Sequence, residues 1–325
     1  MAMQRVLARL SPLMVLANRE YMPTFEATLA CAPDTETSWR DLLRKHNLSK
    51  FDARELQDKR VVLFGEQHHQ SQVLKAQMTI LSSLHQLAQS GHTTKKVVMV
   101  MEHFNIEQDD LLHKFGQNQI SSEDLIQEYA ESREGFRLVH YLPLLLLARE
   151  LGIRVHGGFP PRQWASLVHK ESIEALRTSK DFLVPRDFGE DRWSQVSRIS
   201  REQVAYLRSM MSGQPPKLPD PKDVPTQGYL SGILPAQTLK DTFFAWSIDK
   251  HLSDSSVVVF GVCGLGHSEY NLCASSRIKQ CQPQEIYTIA TKDLDSAGYV
   301  SDGLLQGQFN LADLVVPYTS DQEAD

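Results

Sequence analysis

Val61-Val62-Leu63-Phe64-Gly65-Glu66-Gln67-His68-His69 is the stretch from which the fold is read: an apolar run that ends at a glycine and then in a carboxylate and two imidazoles. A short, unbroken apolar run is the pattern of a strand buried on both faces, as in a parallel sheet. Gly65 punctuates its end. Three further runs repeat the plan. Val97 to Met101 ends in Glu102-His103, Ile153 to Val155 in His156-Gly157-Gly158-Phe159-Pro160-Pro161-Arg162, and Val257 to Phe260 in Gly264-Leu265-Gly266-His267. Strands of an open parallel α/β sheet run one way, so groups just past their carboxyl ends share a crevice. Glu66, His68, Glu102, Arg162 and His267 are therefore expected to meet.

The segments between these runs supply the crossovers. Val73, Met78, Ile80, Leu81, Leu84 and Leu87 recur near helical spacing and stop at Ser90-Gly91, giving a β-α-β unit that places both strand ends on one edge. From Glu107 to Gly152 the pattern is helical, with a start signal at Ser121-Ser122-Glu123-Asp124 and a helix from Tyr141 to Leu151. Residues 163–240 change character: polar and helical to about Met211, then rich in proline and glycine, which reads as a helical insertion ending in a long loop over the strand ends. A helix resumes at Thr238 to Leu252, and further strands are expected at Ile286 to Ala290 and Leu311 to Val316. The expected fold class is α/β: a mostly parallel central sheet flanked by helices, with a helical lobe over the strand carboxyl ends.

The chain has 325 residues, 41% hydrophobic content and a formal net charge of -6, enough for a large core and no basis for a nucleic-acid surface, since the basic residues are scattered. Its four cysteines form no C-x-x-C pair, so reduced thiols and an intracellular setting are expected. Cys263 reads as a small buried hydrophobe. No run approaches the ~20 apolar residues needed to span a bilayer. Residues 1–36 read as an N-terminal extension before a domain at 37–325, in which residues 38–47 form a short helix. The first nineteen residues hold Arg5, Arg9 and Arg19 without an acid, the composition of an organelle (mitochondrial or plastid) transit peptide, and equally of a short amphipathic helix.

Glu66 and His68, two residues apart on the turn leaving the first strand, can aim at one point as metal ligands or as acid and base. Standing alone, they would equally cap the next helix. Glu102 carries more weight, because a charge closing a fully buried strand costs several kcal/mol unless paired or coordinated. Arg162 and a metal ion are the two candidates to face it. Gly264-Leu265-Gly266 lacks the third glycine of a dinucleotide fingerprint, so His267 is better read as a ligand or acid/base group. His69, His103 and His156 stand beside the clusters, but neighbours on extended backbone point oppositely, so they rank lower.

Taken together, Gly65-Glu66-Gln67-His68, Met101-Glu102 with Gln108 beyond it, Tyr141-Leu142-Pro143-Leu144, Gly158-Phe159-Pro160-Pro161-Arg162, Asp241 to Ala245 and Gly264-Leu265-Gly266-His267 resemble the ChaN-like haem-binding family, grouped with the Tiki metalloproteases and erythromycin esterases. The likeness runs from about Val61 to Arg277. It implies a parallel α/β core with a helical lobe and a site for haem or iron, with Tyr141, Tyr229 or Tyr270 or a cleft histidine as axial ligand. Its hydrolytic cousins imply instead a divalent metal such as Mn, Co or Zn, held by Glu66, His68, Glu102 and His267, with Arg162 steadying negative charge. A descendant that keeps the fold with an idle site is the third reading. The expected partners are haem or another small molecule, with a homodimer left open.

Overall fold

The computed structural model describes residues 53–90, 95–132, 134–212, 218, 229–281, 286–293 and 311–320. The expected N-terminal extension and the helix at 38–47 lie outside these residues. Six strands, β1 (Val61–Glu66), β2 (Lys96–Asn105), β3 (Arg154–Phe159), β4 (Val257–Gly264), β5 (Ile286–Asp293) and β6 (Leu314–Tyr318), form one sheet in the order β3-β2-β4-β1-β5-β6. Every pairing is parallel, so the expected α/β class holds.

The order explains the crevice. The chain moves from β1 past an open place to β2 and on to the edge at β3, then returns to fill that place with β4 before continuing outward through β5 and β6. β1 and β2 are therefore not neighbours; their carboxyl ends face one another across β4. Both β1 and β4 are buried throughout, because helices cover both faces of a sheet built by crossovers.

On one face, α1 (Ser71–Ser90), α2 (Asp109–Gly116), α3 (Ser122–Glu131) and α4 (Leu138–Glu150) pack with Phe64, Met99, Met101 and Phe260 into the largest core. Ser121 caps α3 with reciprocal hydrogen bonds to Asp124, as the start signal there predicts. On the other face, α9 (Tyr229–Leu252) and α11 (Ala274–Cys281) bury Phe244, Ile248 and Ile278 against Val61, Leu63 and Val259. The lobe comprises α5 (Arg162–Lys170), α6 (Ile173–Thr178), α7 (Gly189–Val196) and α8 (Arg201–Ser212), and it shares an aromatic cluster of Trp164, Phe188, Trp193, Phe243 and Trp246 with α9. Between β4 and α11 lies the single turn α10 (Leu265–Ser268).

Three of the boundaries that differ from the sequence reading bear on the site. The α9 helix begins at Tyr229 rather than Thr238 and carries Pro235 inside it; its packing on β3, α5 and α11 outweighs the local signal of proline and glycine. β1 runs through Glu66, so the carboxylate belongs to the strand and not to the turn after it. β3 extends through Gly157-Gly158 to Phe159, where a β-carbon at Gly157 would fall on the main chain of Asn105. As an edge strand, β3 also needs its outward groups satisfied, and Asp109 at the start of α2 accepts from the Gly157 N–H at 2.8 Å and meets His156 at 2.9 Å.

Candidate functional site

Glu66, 1% exposed, is the centre of the crevice. One of its oxygens, Oε1, lies 2.7 Å from His68 Nδ1 and 2.8 Å from His103 Nε2, and accepts the Tyr141 hydroxyl at 2.6 Å. The other accepts from the Gln77 amide. His68 bridges onward, its Nε2 standing 3.2 Å from Glu102 Oε1. Glu66, His68 and His103 each offer a ligand atom, and these atoms all lie within 4.8 Å of one another, the spacing of a possible metal centre.

Gly264 makes this meeting possible. Paired with Glu66 across the β1–β4 ladder, it lies beneath the ends of β1 and β2, and a β-carbon on it would lie 3.0 Å from His68 Nε2 and 3.3 Å from Glu102 Oε1. The late glycine thus leaves room for carboxylate and imidazole groups to reach over β4.

His103 enters the cluster against the sequence reading. Strict alternation would turn it away from the side that Glu102 faces, but the β2–β3 register shifts between Met101 and Asn105. Such an irregularity re-aims side chains, and both Glu102 and His103 reach the cluster. Gln77 was also missed, although a polar residue on the apolar face of α1 was a readable sign. Phe136 packs edge-on against both His68 and His103, with ring centroids at 5.2 and 4.7 Å.

Burial works against charge on Glu66, yet the imidazoles of His103 and His68 override it and hold the carboxyl well below the usual range. Burial likewise works against charge on His68, but its bond to Glu66 and the field of Glu102 raise its pKa, with Lys240 opposing. Tyr141, buried beside Glu66, is held as a neutral phenol far above its ordinary pKa. Among the described residues, three buried atoms of the cluster are left without a hydrogen-bond partner, Glu102 Oε2, His103 Nδ1 and Gln77 Oε1. An orphaned carboxylate oxygen of this kind is costly without a cation or donor.

His267 stands on α10 with Nδ1 2.7 Å from Asp241 Oδ1 and its ring 4.9 Å from that of Phe159. Lys240 lies 5.7 Å from the centroid of the same Phe159 ring, and its charge is felt at His68, so α9 contributes both an acid and a base to this rim. Neither role was read from the sequence, where Asp241 entered only through the family likeness.

Arg162 is placed elsewhere. It opens α5, is exposed, and makes its described contacts to Glu134, its backbone N–H reaching Oε1 at 3.3 Å and its guanidinium the carbonyl at 3.5 Å. It lines a separate cleft of about 520 Å³ with Asn105, Gln108 and Glu107. The cluster around Glu66 is thus of Glu and His without Arg, and the group that faces Glu102 is His68 rather than the expected Arg162. Tyr141 is fully buried and Tyr270 is 4% exposed; the Tyr229 side chain lies outside the described residues. Cys263 is buried, as expected, and burial pushes its thiol up.

Fold and cluster together define a parallel α/β protein with a carboxylate–imidazole centre at the carboxyl ends of its inner strands. The model of the family described as haem-binding uptake, Tiki superfamily, ChaN matches residues 53–278, and the chain belongs to that family. Three solved structures are similar to it. ChaN of Campylobacter jejuni, described with cofacial haem, is 12% identical over 74% of this chain and 84% of that one, with a TM-score of 0.49. The type III effector HopBA1 is 10% identical over 83% and 92%, at 0.40, and a Bacillus cereus protein is 14% identical over 90% and 81%, at 0.35. No curated protein matches. Among the described residues no helix is long and apolar enough to cross a membrane.

Proposed function

We propose that this protein binds haem, with His68 as the axial group. The observation that carries the reading is the position of His68: its side chain is 36% exposed, whereas Glu66 beneath it is 1% exposed and His103 is 0% exposed. A ligand arriving from solvent meets His68 first, and haem iron requires only an axial ligand from the protein. Glu66 holds Nδ1 and so selects Nε2 as the ligating nitrogen, the usual service of a carboxylate behind a ligating histidine. Glu66 holds the imidazole in place, while Glu102, 3.2 Å from Nε2, is the contact that an incoming iron would displace. Phe136 supplies an apolar wall and Lys240 a cation at the rim. Bound haem supplies a redox-active, Lewis-acidic iron.

Haemin titration of the purified chain tests this. A shifted Soret band that is lost in His68→Ala and kept in Tyr141→Phe supports the reading; an identical band in wild type and His68→Ala overturns it.

A second reading rests on the Asp241–His267 pair and on the donor set of Glu66, His68 and His103, which also suits a first-row divalent ion. In a metal-assisted hydrolase, Asp241 would orient His267 as a base for water. Stoichiometric Mn, Co or Zn that is lost in Glu66→Ala, with no haem band, would favour it. An idle scaffold would show neither. Within the same proposal the ligand is a small molecule, a homodimer is tested by sedimentation, and organelle delivery by following a fusion of residues 1–36 in cells.

A further inference from the structure

A second cavity, of about 480 Å³, lies at the seam between the lobe and the chain that follows β4, lined by Arg198, Ser200, Gln203, Asn271, Ser276 and Arg277 among others. Its lining includes two arginines and no carboxylate, a local reversal in a chain of net charge -6.

Arg277 is 4% exposed and its guanidinium is fixed from several sides. Nε donates to the Thr242 hydroxyl at 2.9 Å, Nη2 to the Arg198 carbonyl at 3.3 Å and Nη1 to the Cys273 carbonyl at 3.4 Å. The nearest carboxylate oxygen, from Asp241, is 4.0 Å away, and Asp241 is already engaged with His267 at 2.7 Å. A buried guanidinium held mainly by neutral acceptors keeps much of its attraction for an anion.

Ser200 and Gln203, at the amino end of α8, line the same cavity. They cap the helix with reciprocal bonds, Ser200 N–H to Gln203 Oε1 at 3.0 Å and Gln203 N–H to Ser200 Oγ at 3.1 Å, so those N–H groups are taken and the helix end adds only its positive dipole. Asn271 adds a further sign. Its backbone is left-handed, with φ 58, and its side-chain oxygen is buried without a partner. Asparagine adopts that backbone readily, so the sign is the oxygen: an unsatisfied buried acceptor calls for a donor on the ligand.

We propose that this cavity binds a small organic oxyanion carrying a hydroxyl, with Arg198 and Arg277 taking the charge and Asn271 the hydroxyl, and that its occupancy is coupled through Asp241 to His267. The volume exceeds that of a bare phosphate ion and suits a compact phosphate ester or hydroxy acid. Coupling follows from shared partners: an anion drawing on Arg277 competes with Asp241 for that guanidinium, and Asp241 is what holds His267.

The test uses the full chain without haem, so that failure of the haem reading and of this one are separable. Glycerol phosphate, malate and inorganic phosphate are titrated at fixed ionic strength, with chloride as control, and followed by thermal unfolding and by the His267 ring resonance. The expected result is a saturable stabilisation by glycerol phosphate or malate, whichever of the two names the oxyanion, exceeding that by inorganic phosphate, with a shift of the His267 signal. Affinity falls by about tenfold or more in Arg198→Ala, a surface change that leaves folding intact, and in Arg277→Lys, which keeps the charge and loses the fork. Responses no larger than chloride gives, or equal affinity in Arg198→Ala and wild type, overturn the site. Saturation without movement of the His267 signal overturns the coupling.

Discussion

The Tyr141 hydroxyl donates to Glu66 at 2.6 Å, joining the first turn of α4 to the end of β1, and the phenol is completely buried. This bond removes Tyr141 from the set of groups a ligand can reach and makes it a support for the carboxylate instead. Tyr141→Phe should therefore leave ligand spectra unchanged while destabilising the fold by about 1.5–3 kcal/mol, the range for a hydrogen bond to a charged group. Urea unfolding at neutral pH measures it; a change below about 0.5 kcal/mol, the level of an ordinary surface substitution, would refute the assignment.

Gly264 has ordinary extended backbone, φ -58 and ψ 146, so any residue can adopt its conformation and only space is at issue. The β-carbon of Gly264→Ala would press on His68 Nε2 and Glu102 Oε1. Stability should fall by no more than about 1–3 kcal/mol, as for modest overpacking, while affinity for whatever His68 binds drops by about tenfold or more. Haemin or metal titration of the folded variant decides, and unaltered affinity would separate Gly264 from the site.

His251, near the end of α9, lies with its ring tilted by 45° against that of His156, the centroids 4.4 Å apart. Burial, then the charges of His156 and Lys250, depress its pKa from 6.5 to about 4, with Asp109 opposing and Arg154 adding a little. Because the folded state favours the neutral ring, His251 contributes stability that is fully present above pH 6.5 and is lost as pH falls towards 4. After allowance for solvent screening the loss is on the order of 1 kcal/mol. His251→Gln should flatten the unfolding midpoint across that window and leave it unchanged above pH 7; a parallel curve for variant and wild type would contradict this.

Asp241 and Arg277 are both buried, and each compensates the other's charge only in part. Asp241→Asn and Arg277→Met should each cost about 2–4 kcal/mol by leaving a buried charge exposed to its own desolvation, and the double variant less than their sum. Denaturant midpoints for the four proteins of the cycle provide the measure. Strict additivity would mean that the two do not interact.

The site was partly legible. Glu66, His68 and Glu102 were readable because each comes just after an apolar run that is plain in sequence, and co-directional strands bring their ends to one edge. Arg162 follows such a strand too, but the edge place of β3 and the turn into α5 carry it towards Glu134. His103 was discounted by the alternation rule, which holds only while the ladder is regular, and β2 is not regular there. Tyr229–Ala236 looked like loop because proline and glycine mark turns, whereas contacts along α9 decide otherwise.

By itself the sequence determined the class of fold, the strands and the short motifs of the family, since burial of apolar runs and the spacing of helices are local properties that survive without coordinates. Only the tertiary structure decided that β4 fills the place between β1 and β2, that Gly264 opens the space in which His68 reaches Glu102, and that Asp241 stands behind His267. Those are distances between segments remote in the chain, set by how helices and strands pack rather than by any residue's neighbours in sequence.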